Sequence, residues 1–268
     1  MELTNREKYL FDDFTFDNYR RLIRLAKNNG FQFILHKDEY NPNRRDVIWR
    51  HDVEFSPVKA LRMAHIEFEE GVCATYFWQL HSDYYNTAST FFIDILKKIY
   101  DMGHHIGLHF DSHFWTINSE EELNTFIRLD AEYLESIMRR AGMNNKIDTF
   151  SFHNTNEFIL NCRNEKYGDL INVYSTFFKN HYDYCGDSTG IWRFDRLEDR
   201  LNDHQIQHLQ VLTHDGVWSE TSMSPHARVM ESIQNEADRI KTEYSGKLPL
   251  TGNINVGEYR INPSIDEA

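Results

Sequence analysis

Proline and cysteine are scarce in this 268-residue chain, at 5 and 3 residues, and long hydrophobic runs are missing altogether. Little proline beside 40% hydrophobic and 14% aromatic residues excludes a disordered chain and leaves material for a large buried core. Cys73, Cys162 and Cys185 form no CxxC pair and leave an odd thiol, which suits a reducing compartment. No window approaches the ~20 apolar residues that cross a bilayer, so no membrane span is expected. The opening MELTNREKYLFDDFTF mixes charges and has no apolar core for a secretory signal, so the expected location is cytoplasmic. A net charge of −13 without a run of Lys and Arg disfavours nucleic acid as a partner, although one basic pocket on an acidic protein can still hold an anion. The glycine fingerprints of P-loop and Rossmann sites and the G-x-S-x-G elbow of serine hydrolases are also absent.

Short strand-like runs instead alternate with longer helical ones, without linkers or repeats. This is the pattern of a parallel α/β sheet or barrel, read as one domain spanning 1–268. Residues 1–45 read as a helical extension packed on the barrel, with a helix over 14–29 closed by Gly30. Strands are expected at 46–53, 73–80, 104–110, 148–153, 171–175 and 209–214, and helices at 89–102, 119–141 and 224–246. A further helix starts with Ser56 as cap and Pro57 in its first turn and ends at Gly71, with Leu61, Ala64, His65 and Phe68 on one face.

The chemistry-bearing residues fall at the ends of these strands. Side chains alternate along a strand, so Asp52 and Glu54 in HDVE project the same way, and such a pair can divide labour between holding a metal and taking a proton from water. In GHHIGLHFDSH, His105 and His109 share a face, yet four residues of strand separate them by roughly 13 Å, too far to chelate one ion. His109 and His113 meet if the chain turns helically after Phe110, which makes them the expected pair and leaves His104 and His105 as packed residues. His153 ends one strand in SFHN and His214 another in VLTHD. Acids and imidazoles ending four strands therefore point to one mouth at the C-terminal edge of the sheet.

This motif order, over residues 46–218, resembles the polysaccharide deacetylases, the NodB-homology or carbohydrate esterase family 4 group, and within it the branch associated with bacterial surface-glycan biosynthesis. RHDVEFSP looks like the family's first motif, which implies Asp52 as catalytic base and Glu54 as metal ligand. HFDSH is similar to the second motif, implying that His109 and His113 complete the ligand set. LTHD looks like the last, implying His214 as general acid and Leu212 as a wall of the acyl pocket. The resemblance implies a distorted (β/α) barrel of about seven strands and a divalent metal, zinc first. It also implies a metal-dependent N-deacetylase, a hydrolase of carbon–nitrogen bonds other than peptide bonds, acting on an N-acylated amino sugar or carrier-linked glycan precursor.

Two departures stand out: Glu54 where the family has aspartate, and SFHN in place of the Arg-x-Pro-Tyr motif. They keep alternative readings open, a non-catalytic sugar-binding member or a metal amidohydrolase acting on a formyl, ureido or cyclic amide substrate. The remaining substrate-side residues are read as His153, Trp218 and Arg193, with Arg193 or Arg50 orienting Asp52 and Asp215 keeping His214 charged.

Overall fold

The computed structural model describes residues 3–250. Its strands are β1 (Gln32–Ile34), β2 (Asp46–Val53), β3 (Thr75–Gln79), β4 (His105–Asp111), β5 (Thr149–His153), β6 (Lys166–Tyr167), β7 (Leu170–Asn172), β8 (Asp183–Gly186) and β9 (His208–His214). Its helices are α1 (Asn5–Lys8), α2 (Phe16–Asn28), α3 (Pro57–Glu69), α4 (Thr90–Asp101), α5 (Glu120–Arg140), α6 (Glu157–Asn161), α7 (Thr176–His181), α8 (Leu197–Asn202) and α9 (Pro225–Leu250). The order β7-β5-β4-β3-β2-β9-β8 is parallel throughout, a run of seven strands, with β6 added antiparallel outside β7. The fold is thus mixed α/β around one parallel sheet, as the alternating pattern predicts.

The strand β2 is central because DVIWRHDV is buried on both faces, as a covered parallel strand must be. Val47, Trp49 and Val53 pack outward among the helices, whereas Ile48 joins an inner cluster with Ile34, Phe178 and Tyr182. Alternation then places Arg50 and Asp52 on that inner face. Gly107 keeps the interior passable, since a Cβ there would lie 2.5 Å from the Phe77 ring. Tyr174, just past β7, and Tyr184, on β8, belong to opposite edges of the parallel run yet line one pocket with Arg50. The sheet therefore curls into an open, distorted barrel, with α7 in the seam.

The helices follow from their caps. Thr15, Ser89 and Ser119 accept the N–H of Asn18, Phe92 and Glu122, and α5 adds three glutamates to its first turn and two arginines to its last. Gly71, at φ +71°, lies just beyond α3 in the left-handed region that suits glycine. Two local expectations change. The buried face of α3 carries Ala60, Met63, Ala64 and Glu67, while His65 and Phe68 are exposed, because the apolar stripe starts one position earlier than expected. Residues 1–45 are not wholly helical: β1 pairs with the first half of β2, where β3 has not yet begun. The chain divides into one unit ending at Pro225 and a second beginning at His226; residues 1–2 and 251–268 of the expected domain lie outside the described residues.

Candidate metal and catalytic site

β2, β4, β5 and β9 are close neighbours in the sheet, with only β3 between β2 and β4, and their C-terminal ends bring Asp52, Glu54, His109, His153 and His214 to one place. Glu54 is the hub. Its Oε1 lies 2.7 Å from His109 Nε2 and 2.8 Å from His153 Nδ1, the two nitrogens are 3.2 Å apart, and His214 Nε2 stands 3.8 Å away on the other side. Burial opposes ionisation of Glu54, but hydrogen bonds from His109 and His153 outweigh it and hold the carboxyl well below its usual range. His153 is raised in turn: burial works against its charge, and Glu54 prevails.

The donor set fits a divalent cation. Two imidazoles and a carboxylate are a ligand set of catalytic zinc, and ligands at about 2.1 Å around a tetrahedral ion sit about 3.4 Å apart, so the three atoms, now 2.7–3.2 Å apart, need to part by well under 1 Å to admit it. The hydrogen-bond network gives a second reason. Ser151 Oγ donates to Asp52 Oδ1 at 3.1 Å, so it is free to accept the Nδ1–H of His109 at 2.6 Å. With the proton on Nδ1 alone, the lone pair of Nε2 faces the Glu54 oxygen; with a second proton on Nε2, the ring donates to it. Two lone pairs at 2.7 Å need a proton or a cation between them.

On the far side, His214 Nδ1 is 2.6 Å from Asp187 Oδ1, and Asp187 Oδ2 accepts the His214 backbone N–H at 3.0 Å. Burial alone would lower the imidazole's pKa, but the Asp187 carboxylate overrides it and raises the group to about 10. Asp215, the acid expected in this role, faces away: it accepts the backbone N–H groups of Glu54, Phe55 and Ser56 and so fixes the loop that presents Glu54. It also caps α3, where the Ser56 side chain makes no capping bond. Burial pushes Asp215 up to about 6 in spite of those donors.

The expected trio of Glu54, His109 and His113 is not the one that gathers. β4 runs on to Asp111 instead of turning helically after Phe110, so positions 109 and 113 are not one turn apart. His113 is largely exposed, with Nδ1 3.6 Å from Asp111 Oδ1. His153 occupies the third corner, and the alternation of Ser151 with His153 along β5 signals it, because both share the face that meets His109. Trp218, expected near the mouth, is fully buried: its Nε1 donates to Thr213 and its ring packs against Phe14 and Tyr19. Arg193 is exposed over Phe194, and the arginine beside Asp52 is Arg50, with Nη1 3.8 Å from Oδ1. Leu212 is buried on the inner face of β9, two residues before His214. Asp187 escapes sequence reasoning because β8, after which it falls, is too short and polar to stand out.

The fold and these residues define a parallel α/β protein with a two-histidine, one-carboxylate centre at the strand ends. No family model matches the chain, and no curated protein does. Among solved structures, the chain is similar to a family 4 carbohydrate esterase from Bacillus anthracis, at 17% identity over 80% of this chain and 84% of that one, with a TM-score of 0.43. It is also similar to the chitin deacetylase of Colletotrichum lindemuthianum, at 17% identity over 70% and 81%, with a TM-score of 0.39. A family 4 pseudoenzyme from Bacillus anthracis aligns at 14% identity over 73% of this chain and 63% of its own, with a TM-score of 0.42. The chain spans less than two thirds of that pseudoenzyme, and 65% of a mutant of it with restored activity.

Proposed function

We propose that the protein is a metal-dependent amide hydrolase that removes an N-acyl group, chiefly acetyl, from an amino sugar or carrier-linked glycan precursor. The observation that carries this reading is the convergence of Glu54 Oε1, His109 Nε2 and His153 Nδ1 between a second carboxylate, Asp52, and a charged imidazole, His214. A divalent cation held by Glu54, His109 and His153, zinc first, supplies Lewis acidity toward the amide oxygen and a lowered pKa for water. Asp52 accepts the proton of the attacking water, held in place by Ser151 through Oδ1 and by the charge of Arg50. His214, kept protonated at neutral pH by Asp187, donates to the departing amine nitrogen. Leu212 offers an apolar wall to the acyl methyl. The Glu54 loop, pinned by Asp215, keeps the ligand carboxylate from swinging away.

The test pairs metal analysis of the purified protein with acetate release from a panel of N-acetylated sugars, free, nucleotide-linked and lipid-linked. One equivalent of metal, with release lost in Asp52→Asn, is the expected result. Metal without release anywhere on the panel replaces this reading with the sugar-binding one.

A further inference from the structure

Arg50 is the most deeply buried cation on the inner face of the barrel, at 1% exposure. Its Nε and Nη1 have no hydrogen-bond partner among the described residues. The nearest carboxylate oxygen, Asp52 Oδ1, is 3.8 Å away, well beyond the ~2.7–2.9 Å of a charge-assisted hydrogen bond. The Tyr174 side chain gives the guanidinium a hydrogen-bonding neighbour, and rings take up part of its surface, with the centroids of Tyr174 and Phe77 at 5.2 and 5.7 Å. Unbonded guanidinium N–H groups are costly to bury, and such exceptions call for an explanation.

The explanation lies in what Arg50 faces. It lines a pocket of about 310 Å³ in the seam of the barrel, together with Arg163, Lys179, Tyr174, Tyr182 and Tyr184, and no acidic side chain lines it. Arg163 is held by its own Nη1, which donates to the Tyr174 carbonyl at 2.6 Å, and Lys179 is exposed. Neither pairs with a carboxylate among the described residues. The Tyr182 and Tyr184 phenols, the first buried and the second exposed, are protonated at neutral pH and remain donors. On a chain of net charge −13, three cations and three phenols around one space are an inversion of the surrounding field.

We propose that this seam pocket is an oxyanion seat, in which a phosphate or carboxylate borne by a small molecule completes the hydrogen bonding of Arg50 and is gripped at the rim by Arg163 and Lys179. Arg50 precedes Asp52 by two residues on one strand face and its Nη1 stands 3.8 Å from Asp52 Oδ1, so the seat adjoins the candidate catalytic carboxylate. It borders the histidine cluster through Asp52 but uses none of Glu54, His109 and His153, and it does not depend on the hydrolase reading.

The experiment is calorimetric titration of the full chain with inorganic phosphate and, separately, with acetate, at constant ionic strength set by chloride. Saturable binding of one or both is expected, phosphate alone marking a phosphoryl seat and acetate alone a carboxylate seat. Lys179→Glu, an exposed change, should weaken binding about fivefold, and Arg163→Met about tenfold or more. Circular dichroism checks that both variants fold. A Glu54→Gln background separates the two regions: binding that persists there and is weakened in the Lys179→Glu and Arg163→Met variants belongs to the seam. Binding of neither anion, or binding whose affinity is unchanged by both rim substitutions or that vanishes with Glu54→Gln, overturns the proposal.

Discussion

The protein builds a glutamate with two histidines twice, on opposite sides of β2, and the two clusters behave differently. On the helix side, Glu67 receives His51 at 2.6 Å and the Tyr76 hydroxyl at 2.7 Å, is also bonded by Tyr19, and has His104 at 3.5 Å. Every side chain in that group is buried, and both carboxylate oxygens are engaged. On the inner side, Glu54 with His109 and His153 is partly open, at 26% exposure for Glu54, and its three candidate ligand atoms crowd within 3.2 Å of one another. The same residue types form a saturated strut in one place and an unsaturated site in the other. Saturation, not composition, separates structure from chemistry.

The sharpest break between the two clusters is kinetic. Asp52→Asn should cut acetate release by about 10²–10⁴-fold, the range for losing a general base, while metal content and the melting temperature stay near wild type. Steady-state assay with metal analysis decides it, and normal turnover by the Asp52→Asn variant would remove Asp52 from the reaction.

Glu67 should show the reverse. Glu67→Leu strands two buried histidines and two tyrosine hydroxyls, so denaturant melts should show a loss of about 3–5 kcal/mol, with metal uptake unchanged in the protein that remains folded. The pH dependence has a definite sign. Burial alone would raise the Glu67 pKa, but His51, then His104 and Tyr19, outweigh it and leave the folded value below the unfolded one. The stability it contributes is therefore complete above the ordinary carboxylate range and is lost as pH falls through the lower folded value. Stability of the wild type should fall on acidification more steeply than that of Glu67→Leu.

Much of the inner cluster is legible in the sequence. The strand periods place Asp52, Glu54, His109, His153 and His214 at strand ends, and parallel α/β topology brings strand ends together. What the sequence leaves out are contacts fixed by lateral pairing. Ser151 is opposite His109 only because β5 pairs with β4 in one particular register. Likewise, Asp187 reaches His214 only because β8 lies beside β9. The preference for His113 over His153 rests on a helical turn that β4 does not make, since Asp111 continues the strand and its carboxylate then accepts the His113 N–H in a tight turn. Trp218 lies near Asp215 in sequence, yet the short turn after β9 directs it inward.

The exchange of His113 for His153 can be tested directly. His153→Ala should weaken zinc binding by more than about 100-fold, above the 10–100-fold range for losing a supporting outer-shell contact, whereas His113→Ala should leave it unchanged. Competition titration against a chromophoric chelator measures both. Equal losses in the two variants would mean that the loop after β4 closes onto the cluster when the cation binds, and the third corner would have to be reassigned.

The smallest expected effect concerns the difference between a histidine charged by a neighbour and one that is merely buried. Asp187→Asn keeps the shape but removes the charge that raises the His214 pKa to about 10, and its amide offers one acceptor where the carboxylate offers two, so one of the two contacts to His214 is lost or reversed. A protonated donor is required for the amine to leave, so activity is supported below the His214 pKa and lost above it. With the charge removed, burial dominates and the alkaline limb of the pH–rate profile should move to lower pH, with the rate at neutral pH falling by about tenfold, less than the 10²–10⁴-fold of a general acid lost outright. Metal content should not change, because Asp187 does not contact Glu54, His109 or His153 among the described residues. An unshifted alkaline limb in Asp187→Asn would show that the limb belongs to another group, and His214 would then join the histidines around Glu67 as a structural residue.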